Sequence, residues 1–415
     1  MSRPGGNAPR RVLLVSTHYH PVVGGVESHA RDVARGLRSR GRQVVVLTTR
    51  VDAHDRTPVA RVDRVPVIRT APAVGRQRFT KWLFIPVAFI AAIRLRRHVD
   101  VIFCPDLRGV AVAALAAGAW LGIPVVIQGA TPGAYSASHW DHAARQLPLP
   151  IPVWALSLAR RWLHRLHRLA AAAVCITREH EREAVASGIP AERVHYIPHG
   201  VDTMRFRPAA PAARDLLRRS LEWDDRLVVL FLGRISREKG VMELLEAWSR
   251  HPRPGARLVF VGPDMPGHNL DAGPSARTFV AAHGLASEVS FAGAMLDPVP
   301  VLQASDVLVQ PSHYEAFPVT VIEAMACGLP VVASWVGGLR DYLVDGENAL
   351  VCPSGDVAAL ASRLDAVLAD ARLRARLARA GQAVVADRFD RNRNLDAYAD
   401  VFDRAVPPRT RRRSS

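Results

Sequence analysis

The chain has 415 residues, 49% of them hydrophobic, and this length and composition predict two to three domains with packed cores. It carries 55 basic and 38 acidic side chains, which gives a formal net charge of +17. The four cysteines lie far apart with no CxxC pair, so a disulfide or zinc framework is excluded and reduced core thiols of a cytosolic protein are expected.

The first predicted element is an apolar strand at residues 12–16. Residues 1–10 precede it directly, and we expect them to be disordered and not to form a signal peptide. The motif GGVE at residues 24–27 then opens a helix that ends near Arg40. Glycine lacks a side chain, so the backbone at this motif can come close to a ligand.

The longest apolar run of the chain is residues 109–128. Glycines and a proline interrupt it, which predicts a helix followed by a buried strand, and residues 82–93 are too short to cross a bilayer. The sequence therefore predicts no membrane-spanning segment.

A glycine turn that carries two cations follows a predicted strand at residues 228–232. Gly233 begins the turn, Arg234 and Lys239 lie on it, and a helix is predicted at residues 242–249. Lys239 stands out because the chain has 53 Arg and only 2 Lys. A compact ammonium beside a guanidinium fork suits a diphosphate and can stabilise its charge as it departs. The alternative is a surface turn with solvated charges.

Two glutamates flank a predicted helix start within residues 315–330. Pro318 suits the first helical turn, which leaves Glu315 in the preceding loop and Glu323 about a turn and a half inside the helix. The first N–H groups of such a helix suit a phosphate, and ionised carboxylates accept hydrogen bonds from hydroxyls. A nucleotide sugar has both kinds of group. The alternative is that Glu315 is a solvated loop residue and Glu323 an exposed helix residue.

Taken in chain order, these segments resemble family 4 of the glycosyltransferases, which are retaining, nucleotide-sugar-dependent enzymes. The resemblance covers nearly the whole chain and rests on GGVE at 24–27, IPHGVD at 197–202, GRISREKG at 233–240 and EAFPVTVIEAMACGLP at 315–330. It implies an α/β, GT-B architecture of two doubly wound Rossmann-like domains with parallel sheets, facing each other across a cleft. The expected organisation is an acceptor-side domain at 1–198, a donor-binding domain at 199–390, a helix at 391–406 that crosses back to the first domain, and a disordered basic tail at 407–415.

The resemblance also implies roles for individual residues. Arg234 and Lys239 would grip the donor diphosphate, Glu315 would orient the transferred sugar, and these three are the expected catalytic residues. Glu323 would accept hydrogen bonds from the ribose hydroxyls. No metal and no cofactor is expected, since the two cations and the helix start replace a divalent ion. The expected donor-binding residues are Gly24, Gly25, Gly233, Gly262, Met295, Ala316, Phe317, Pro318, Val319, Thr320 and Glu323.

One segment departs from the family pattern. Many members carry a histidine after the strand that corresponds to residues 123–127, where it meets the donor sugar, whereas this chain continues with Gln128 and then GATPG. His139 lies downstream but off the motif. The histidine role is therefore unfilled, and a catalytically silent subunit that binds a nucleotide sugar stays open as an alternative.

The positive charge is distributed unevenly along the chain. Residues 1–200 contain 28 basic and 12 acidic side chains, a formal +16, whereas residues 201–415 contain 27 and 26, a formal +1. The basic segments at 76–82 and 160–168 interleave cations with aromatic and apolar residues, a pattern that suits an anionic membrane surface. No nucleic-acid-binding motif accompanies them, so nucleic acid is not expected as a partner.

The sequence thus predicts a retaining enzyme that moves a hexose-type sugar from a UDP or GDP sugar to a lipid-linked or glycan acceptor. We expect it in the cytoplasm, peripheral on the inner face of the cell membrane. The open alternatives are a glycosyltransferase of soluble small molecules, a GT-B epimerase or phosphorylase, and the silent subunit. The chain has neither a GxGxxG nor a GxxxxGK[ST] motif, which disfavours dinucleotide oxidoreductases and P-loop enzymes.

Overall fold

The chain divides into two compact units, and a computed structural model describes each of them. One unit runs to Pro198 and resumes at Asn392, and the other is His199–Arg391. The structure describes residues 11–22, 24–51, 57–73, 80–107, 109–131, 133–136 and 153–406. The predictions for residues 1–10, residues 407–415, His139 and the arginines of segment 76–82 lie outside these residues.

The first unit is built on a sheet of eight strands. The strands are β1 Arg11–Val15, β2 Gln43–Arg50, β3 Val59–Val62, β4 Val65–Ala73, β5 Val101–Cys104, β6 Val125–Gly129, β7 Ala172–Cys175 and β8 Val194–Tyr196. Their order is β3-β4-β2-β1-β5-β6-β7-β8. All neighbouring strands are parallel except β3 and β4.

The prediction of a parallel sheet is wrong at the β3–β4 edge. Asp63 and Arg64 join these strands, and both have positive φ, at 50° and 66°. A two-residue turn of this kind can only return the chain antiparallel to itself, whereas a parallel neighbour needs a long crossover. The sheet of the first unit is therefore mixed.

Helices cover both faces of this sheet. They are α1 Gly25–Ser39, α2 Thr80–Leu95, α3 Val110–Leu121, α4 Val153–His167 and α5 Arg178–Ala186. One face carries α2, α3 and α4, with Phe84 and Leu115 among the buried side chains beneath them. The opposite face carries α1, with Ala30 and Leu37 buried. The apolar run 109–128 forms α3 and β6, as predicted.

The second unit contains a six-stranded sheet in which all neighbours are parallel. The strands are β9 Leu227–Leu232, β10 Ala256–Val261, β11 Val289–Phe291, β12 Val307–Gln310, β13 Val331–Ser334 and β14 Leu350–Cys352, in the order β11-β10-β9-β12-β13-β14. The helices are α6 Pro211–Ser220, α7 Val241–Ser249, α8 Gly273–Ala282, α9 Val299–Ala304, α10 Val319–Ala326, α11 Val357–Ala369 and α12 Ala371–Arg388. The chain order reverses between β9 and β12, and at such a point doubly wound sheets bind ligands.

The last helix, α13 Arg391–Ala405, packs within the first unit. Tyr398 and Phe402 contact Phe103 of β5, with ring centroids 5.9 and 5.3 Å apart. Salt bridges join Arg40 to Asp396 and Arg42 to Asp403. The helix thereby covers the same sheet face as α1.

Within the part of the chain that the structure describes, no helix combines the length and the apolarity needed to cross a membrane.

The four cysteines are buried and unpaired, as predicted, and burial raises the pKa of the Cys327 thiol to about 12. The thiols thus behave as small apolar core residues.

Candidate functional site

Glycines lie just after the carboxyl ends of three neighbouring strands in the second unit. Gly233 follows β9 and donates its N–H to Val261, and Gly262 follows β10 and donates to Gly293 after β11, at 2.9 and 2.8 Å. A Cβ on Gly262 would lie 1.8 Å from the carbonyl oxygen of Gly233, so only glycine allows this approach. Met295 is half-buried in the next loop. The strand ends form a rim on which a flat group can rest.

Lys239 and Glu315 meet at the neighbouring strand ends. Lys239 Nζ lies 2.5 Å from Glu315 Oε1, and the same oxygen accepts hydrogen bonds from Gln310 Nε2 at 2.9 Å and Ser312 Oγ at 2.8 Å. Glu315 is only 7% exposed, so the alternative of a solvated loop residue is wrong. A buried carboxylate needs such partners.

Sequence reasoning missed Gln310 and Ser312. Gln310 is the last residue of β12, a strand whose other residues are apolar, and it is 1% exposed. That polar residue inside an apolar strand was the available signal, because a buried amide implies a partner. Its partner, Glu315, follows only five residues later.

Arg234 differs from Lys239 in its surroundings. Its guanidinium is half exposed and pairs with Glu238, four residues further along the same turn. Exposed pairs contribute about 0–1 kcal/mol, whereas the Lys239–Glu315 pair is largely buried and well bonded. An incoming phosphate can therefore redirect Arg234 easily, while Lys239 is already held in place.

The loop before α10 is fixed on both sides. Pro318 precedes the helix and does not lie in its first turn, so its predicted position is wrong by one residue. The Phe317 ring contacts His199 and Phe389 at centroid distances of 5.3 and 5.7 Å, which leaves only the Phe317 backbone for a ligand. Gly338 donates its N–H to Ala316 at 3.0 Å.

The start of α10 follows directly from this fixed loop. The first N–H groups of the helix, at Val319 and Thr320, have no acceptor within the helix itself. Glu323 lies half-buried one turn further along. Together with Lys239, this helix start can hold an anion between two carboxylates.

Gly337 makes the close packing against Glu315 possible. It has a φ of +48°, and a Cβ there would lie 1.6 Å from the carbonyl oxygen of Glu315. We expect Gly337→Ala to lower the free energy of unfolding by about 3 kcal/mol and to displace the Glu315 loop. Denaturant unfolding measures the loss, and nucleotide binding reports the displacement.

Gly346→Ala is the matched control for this prediction. Gly346 also has a positive φ, +71°, but a Cβ there would meet nothing within 4 Å. Backbone strain alone should cost about 1 kcal/mol. Equal losses in the two variants would show that the contact with Glu315 is unimportant.

The two predicted residues of the first unit lie at the start of α1. Gly24 precedes the helix in an extended conformation, and a Cβ there would meet Glu27 Oε2 at 2.3 Å. A Cβ on Gly25 would meet nothing within 4 Å. The backbone at Gly25 is therefore open to a ligand.

Gln128 has a structural position at the end of β6. It is completely buried, and its Oε1 accepts hydrogen bonds from Tyr398 at 2.8 Å and from His29 Nε2 at 3.2 Å. The amide thus joins β6 to α1 and α13. Sequence reasoning did not identify His29 as its partner.

The pKa of His29 leads to a prediction on stability. Burial lowers this pKa from its ordinary value near 6.5 to about 4. Between these values the unfolded chain binds a proton that the folded chain does not, so stability falls as the pH decreases. We expect His29 to account for a loss of about 2 kcal/mol between roughly pH 7 and pH 5.

The test compares denaturant unfolding of the wild type and His29→Gln at both pH values. Burial also lowers the pKa of His180 to about 4, so the variant should keep part of the acid sensitivity. The loss of unfolding free energy on going from roughly pH 7 to pH 5 should be smaller in the variant by the contribution of His29, about 2 kcal/mol. Identical pH dependence in the two proteins would contradict the assignment.

Within the described ranges, no group of three or more His, Cys, Asp or Glu side chains is arranged to hold a metal ion. Arg234 and Lys239 both follow β9, on the turn that leads into α7. The start of α10 and Lys239 can together bind a phosphate-containing ligand.

Comparison with known sequences gives matches over both units. The family described as Glycosyltransferase Family 4 matches residues 23–205, and the one described as Glycosyl transferases group 1 matches residues 213–384. A D-inositol 3-phosphate glycosyltransferase of Acidothermus cellulolyticus is 32% identical over 97% of this chain and 92% of its own. A GDP-mannose-dependent alpha-mannosyltransferase of Mycobacterium tuberculosis is 30% identical, with 83% and 84% covered.

Solved structures share the fold at lower identity. Sucrose-phosphate synthase from Thermosynechococcus elongatus is 23% identical with a TM-score of 0.77, and covers 95% of this chain and 98% of its own. Anabaena Alr3699/HepE in complex with UDP and glucose is 22% identical with a TM-score of 0.74, at 94% and 98% coverage. At these identities the likeness establishes the architecture alone.

Proposed function

Because the chain belongs to family 4 of the glycosyltransferases and has their GT-B fold, we propose that it moves a hexose-type sugar from a UDP or GDP sugar, with retention, to a separate acceptor. The observation that carries the proposal is the Lys239–Glu315 pair beside the start of α10. It places a fixed cation, a carboxylate and N–H groups that have no acceptor within the helix at neighbouring strand ends. A sugar phosphate needs all three.

Each part of the donor has a matching feature in the second unit. The glycine rim at Gly233 and Gly262 suits the flat base, and Glu323 suits the ribose hydroxyls. Lys239 and a redirected Arg234 suit the diphosphate, with the backbone of Ala316–Thr320 accommodating phosphate oxygens. Glu315 then accepts from the hydroxyls of the transferred sugar. The relative named as a GDP-mannose-dependent alpha-mannosyltransferase supports such a donor.

The proposed chemistry is front-face displacement. The bond between the anomeric carbon and the phosphate oxygen breaks, and the acceptor hydroxyl bonds to the same face of that carbon. The departing phosphate oxygen takes the acceptor proton, so neither glutamate has to transfer one. Lys239, Arg234 and the start of α10 stabilise the negative charge that develops on the diphosphate.

The proposed acceptor is a lipid-linked molecule or glycan, reached at the cytoplasmic face of the cell membrane. The excess charge of residues 1–200, a formal +16, supports contact between the first unit and an anionic membrane. A second candidate is transfer to a soluble small molecule. It is favoured by the relative named as a D-inositol 3-phosphate glycosyltransferase, which matches 97% of this chain.

A donor screen tests the proposal. Thermal shift with a panel of UDP, GDP and other nucleotide sugars should give a rise in Tm of several degrees for one base. With that donor, the anomeric configuration of the product should match the donor. Inversion would rule out the retaining assignment, and tight binding without transfer to any acceptor or to water would favour the silent subunit.

A further inference from the structure

The outer surface of one helix layer in the first unit carries large apolar side chains in contact with solvent. Helices α2, α3 and α4 bury their inner sides against the sheet, and α3 packs against both neighbours. We call their outward apolar residues the aromatic face: Leu83, Ile90, Trp120, Trp154, Leu158 and Trp162. Single exposed apolar residues are ordinary on protein surfaces, whereas a set on adjacent helices marks an interaction site.

Helix α4 presents the densest part of this face. Trp154, Leu158 and Trp162 recur every four residues, so they lie along one side of the helix. The indole-bearing residue Trp154 is 70% exposed, the larger value of the two tryptophans on this helix. Arg161 and Arg165 are exposed on the same side, between and beyond these residues. Helix α4 therefore turns tryptophan, leucine and arginine outward together.

The sequence segment that carries the aromatic face is almost free of acidic residues. Residues 64–178 contain 15 basic and only 3 acidic side chains, and none of the acidic ones falls within residues 142–178. Among the described residues, no salt bridge engages Arg161 or Arg165. These guanidinium groups can therefore pair with anions from outside the chain.

We propose that the aromatic face docks into the headgroup layer of an anionic lipid bilayer, with α4 lying along the surface. This inference rests on the proposed function, because it supplies the element through which the first unit reaches a membrane. Indoles favour the membrane–water interface, where their apolar bodies and N–H groups are both satisfied. The arginines extend to lipid phosphates while their stems lie along the apolar side chains.

Two other partners fit the face less well. A symmetric contact with a second copy of this chain would place the same arginines close to one another without acidic partners, which costs energy. Nucleic acid would match the charge, but the leucine and isoleucine side chains of the face offer it neither hydrogen bonds nor stacking. A bilayer satisfies both the charge and the apolar side chains.

The test is co-sedimentation of the full chain with vesicles of phosphatidylcholine containing about 30% phosphatidylglycerol, and with phosphatidylcholine alone. The variant Leu158→Ser/Arg161→Glu changes an apolar and a basic residue three positions apart on α4. Its matched control, Leu216→Ser/Arg219→Glu, makes the same changes at the same spacing on α6 of the second unit. Leu158 and Leu216 are 59% and 61% exposed.

We expect the wild type and the α6 control to bind the anionic vesicles and the α4 variant to bind at least about tenfold more weakly. Tryptophan emission should shift to shorter wavelength on binding in the wild type, since indoles leave water. Equal binding by the two variants would overturn the proposal. So would a dimer, detected by light scattering, that the α4 changes abolish while vesicle binding stays intact, or binding of single-stranded DNA in preference to vesicles.

Donor binding separates this proposal from the proposed function. The α4 variant should retain the thermal shift with the preferred nucleotide sugar, because the donor residues lie on other elements. If the wild type binds anionic vesicles through α4 but binds no nucleotide sugar, the result supports membrane docking by the aromatic face and contradicts the proposed function. If the wild type binds the donor but no vesicle, the result supports the proposed function and contradicts membrane docking by the aromatic face.

Discussion

Lys239→Ala is expected to lower turnover of the preferred nucleotide sugar by roughly 10²–10³-fold. The ammonium lies where the strand ends of β9 and β12 meet, held by Glu315 at 2.5 Å, so it needs no reorganisation when charge develops on the departing diphosphate. Its removal also leaves the Glu315 carboxylate bonded only to neutral groups, Gln310 and Ser312. Steady-state rates with saturating donor measure the effect.

Arg237→Ala is the control for the lysine variant. Arg237 lies on the same 3₁₀ turn and is exposed, and we assign it no part in donor binding. Its loss should change turnover by no more than about threefold, as for an ordinary surface cation. If Arg237→Ala and Lys239→Ala were equally impaired, general loss of positive charge would explain the result better than a placed ammonium.

Glu315→Gln is expected to lower kcat by about 10²-fold while the KM for the donor changes only a few-fold. Glutamine can still accept hydrogen bonds from Gln310 and Ser312, but it removes the ionic partner of Lys239 and the strongest acceptor for a sugar hydroxyl. Glu323→Gln provides the contrast. There the ribose contact is weakened in ground and transition states alike, so the main effect should be a higher KM.

Azide distinguishes the proposed role of Glu315 from that of a covalent nucleophile. A paired-carboxylate mechanism would route the sugar through a covalent bond to the enzyme, and a small external anion could then replace the missing carboxylate. In front-face displacement there is no such bond, and we expect azide not to restore the activity of Glu315→Gln. Restoration, with formation of a glycosyl azide, would show that Glu315 is the nucleophile.

The aromatic face of the first unit and the proposed donor residues of the second unit lie on different elements. The proposed donor residues are largely backbone groups and a buried ion pair, whereas the aromatic face consists of exposed side chains. Because the two sets share no residue, we expect changes in them to have additive effects. Donor affinity and vesicle affinity should therefore vary independently among the variants described above.

The sequence by itself determined the family, through the resemblance of four motifs in their order along the chain, and it determined the alternating α/β pattern. The α/β pattern depends on local information, the apolar periodicity. The proposed donor-binding segments were likewise selected on local features: glycine at strand ends and a lysine that is rare in an arginine-rich chain. The sequence also predicted the four buried, unpaired cysteines. The antiparallel β3–β4 edge was missed because a turn without glycine, Asp63-Arg64, gave no strong local signal.

Only the tertiary structure decided which side chains are partners. Lys239 meets Glu315, 76 residues further along the chain, because strand ends far apart in sequence become neighbours in a parallel sheet. Gln310 and Ser312 lie within five residues of Glu315, and the folded loop turns both of them onto the same oxygen. Gln128 likewise has a partner that its sequence neighbourhood did not indicate, because α13 places Tyr398 against it, 270 residues away in the chain. Exposure was decided in the same way, because packing of α4 against the sheet determines which of its tryptophans and arginines face solvent. Sequence patterns record what each residue prefers locally, whereas pairing and exposure depend on long-range contacts.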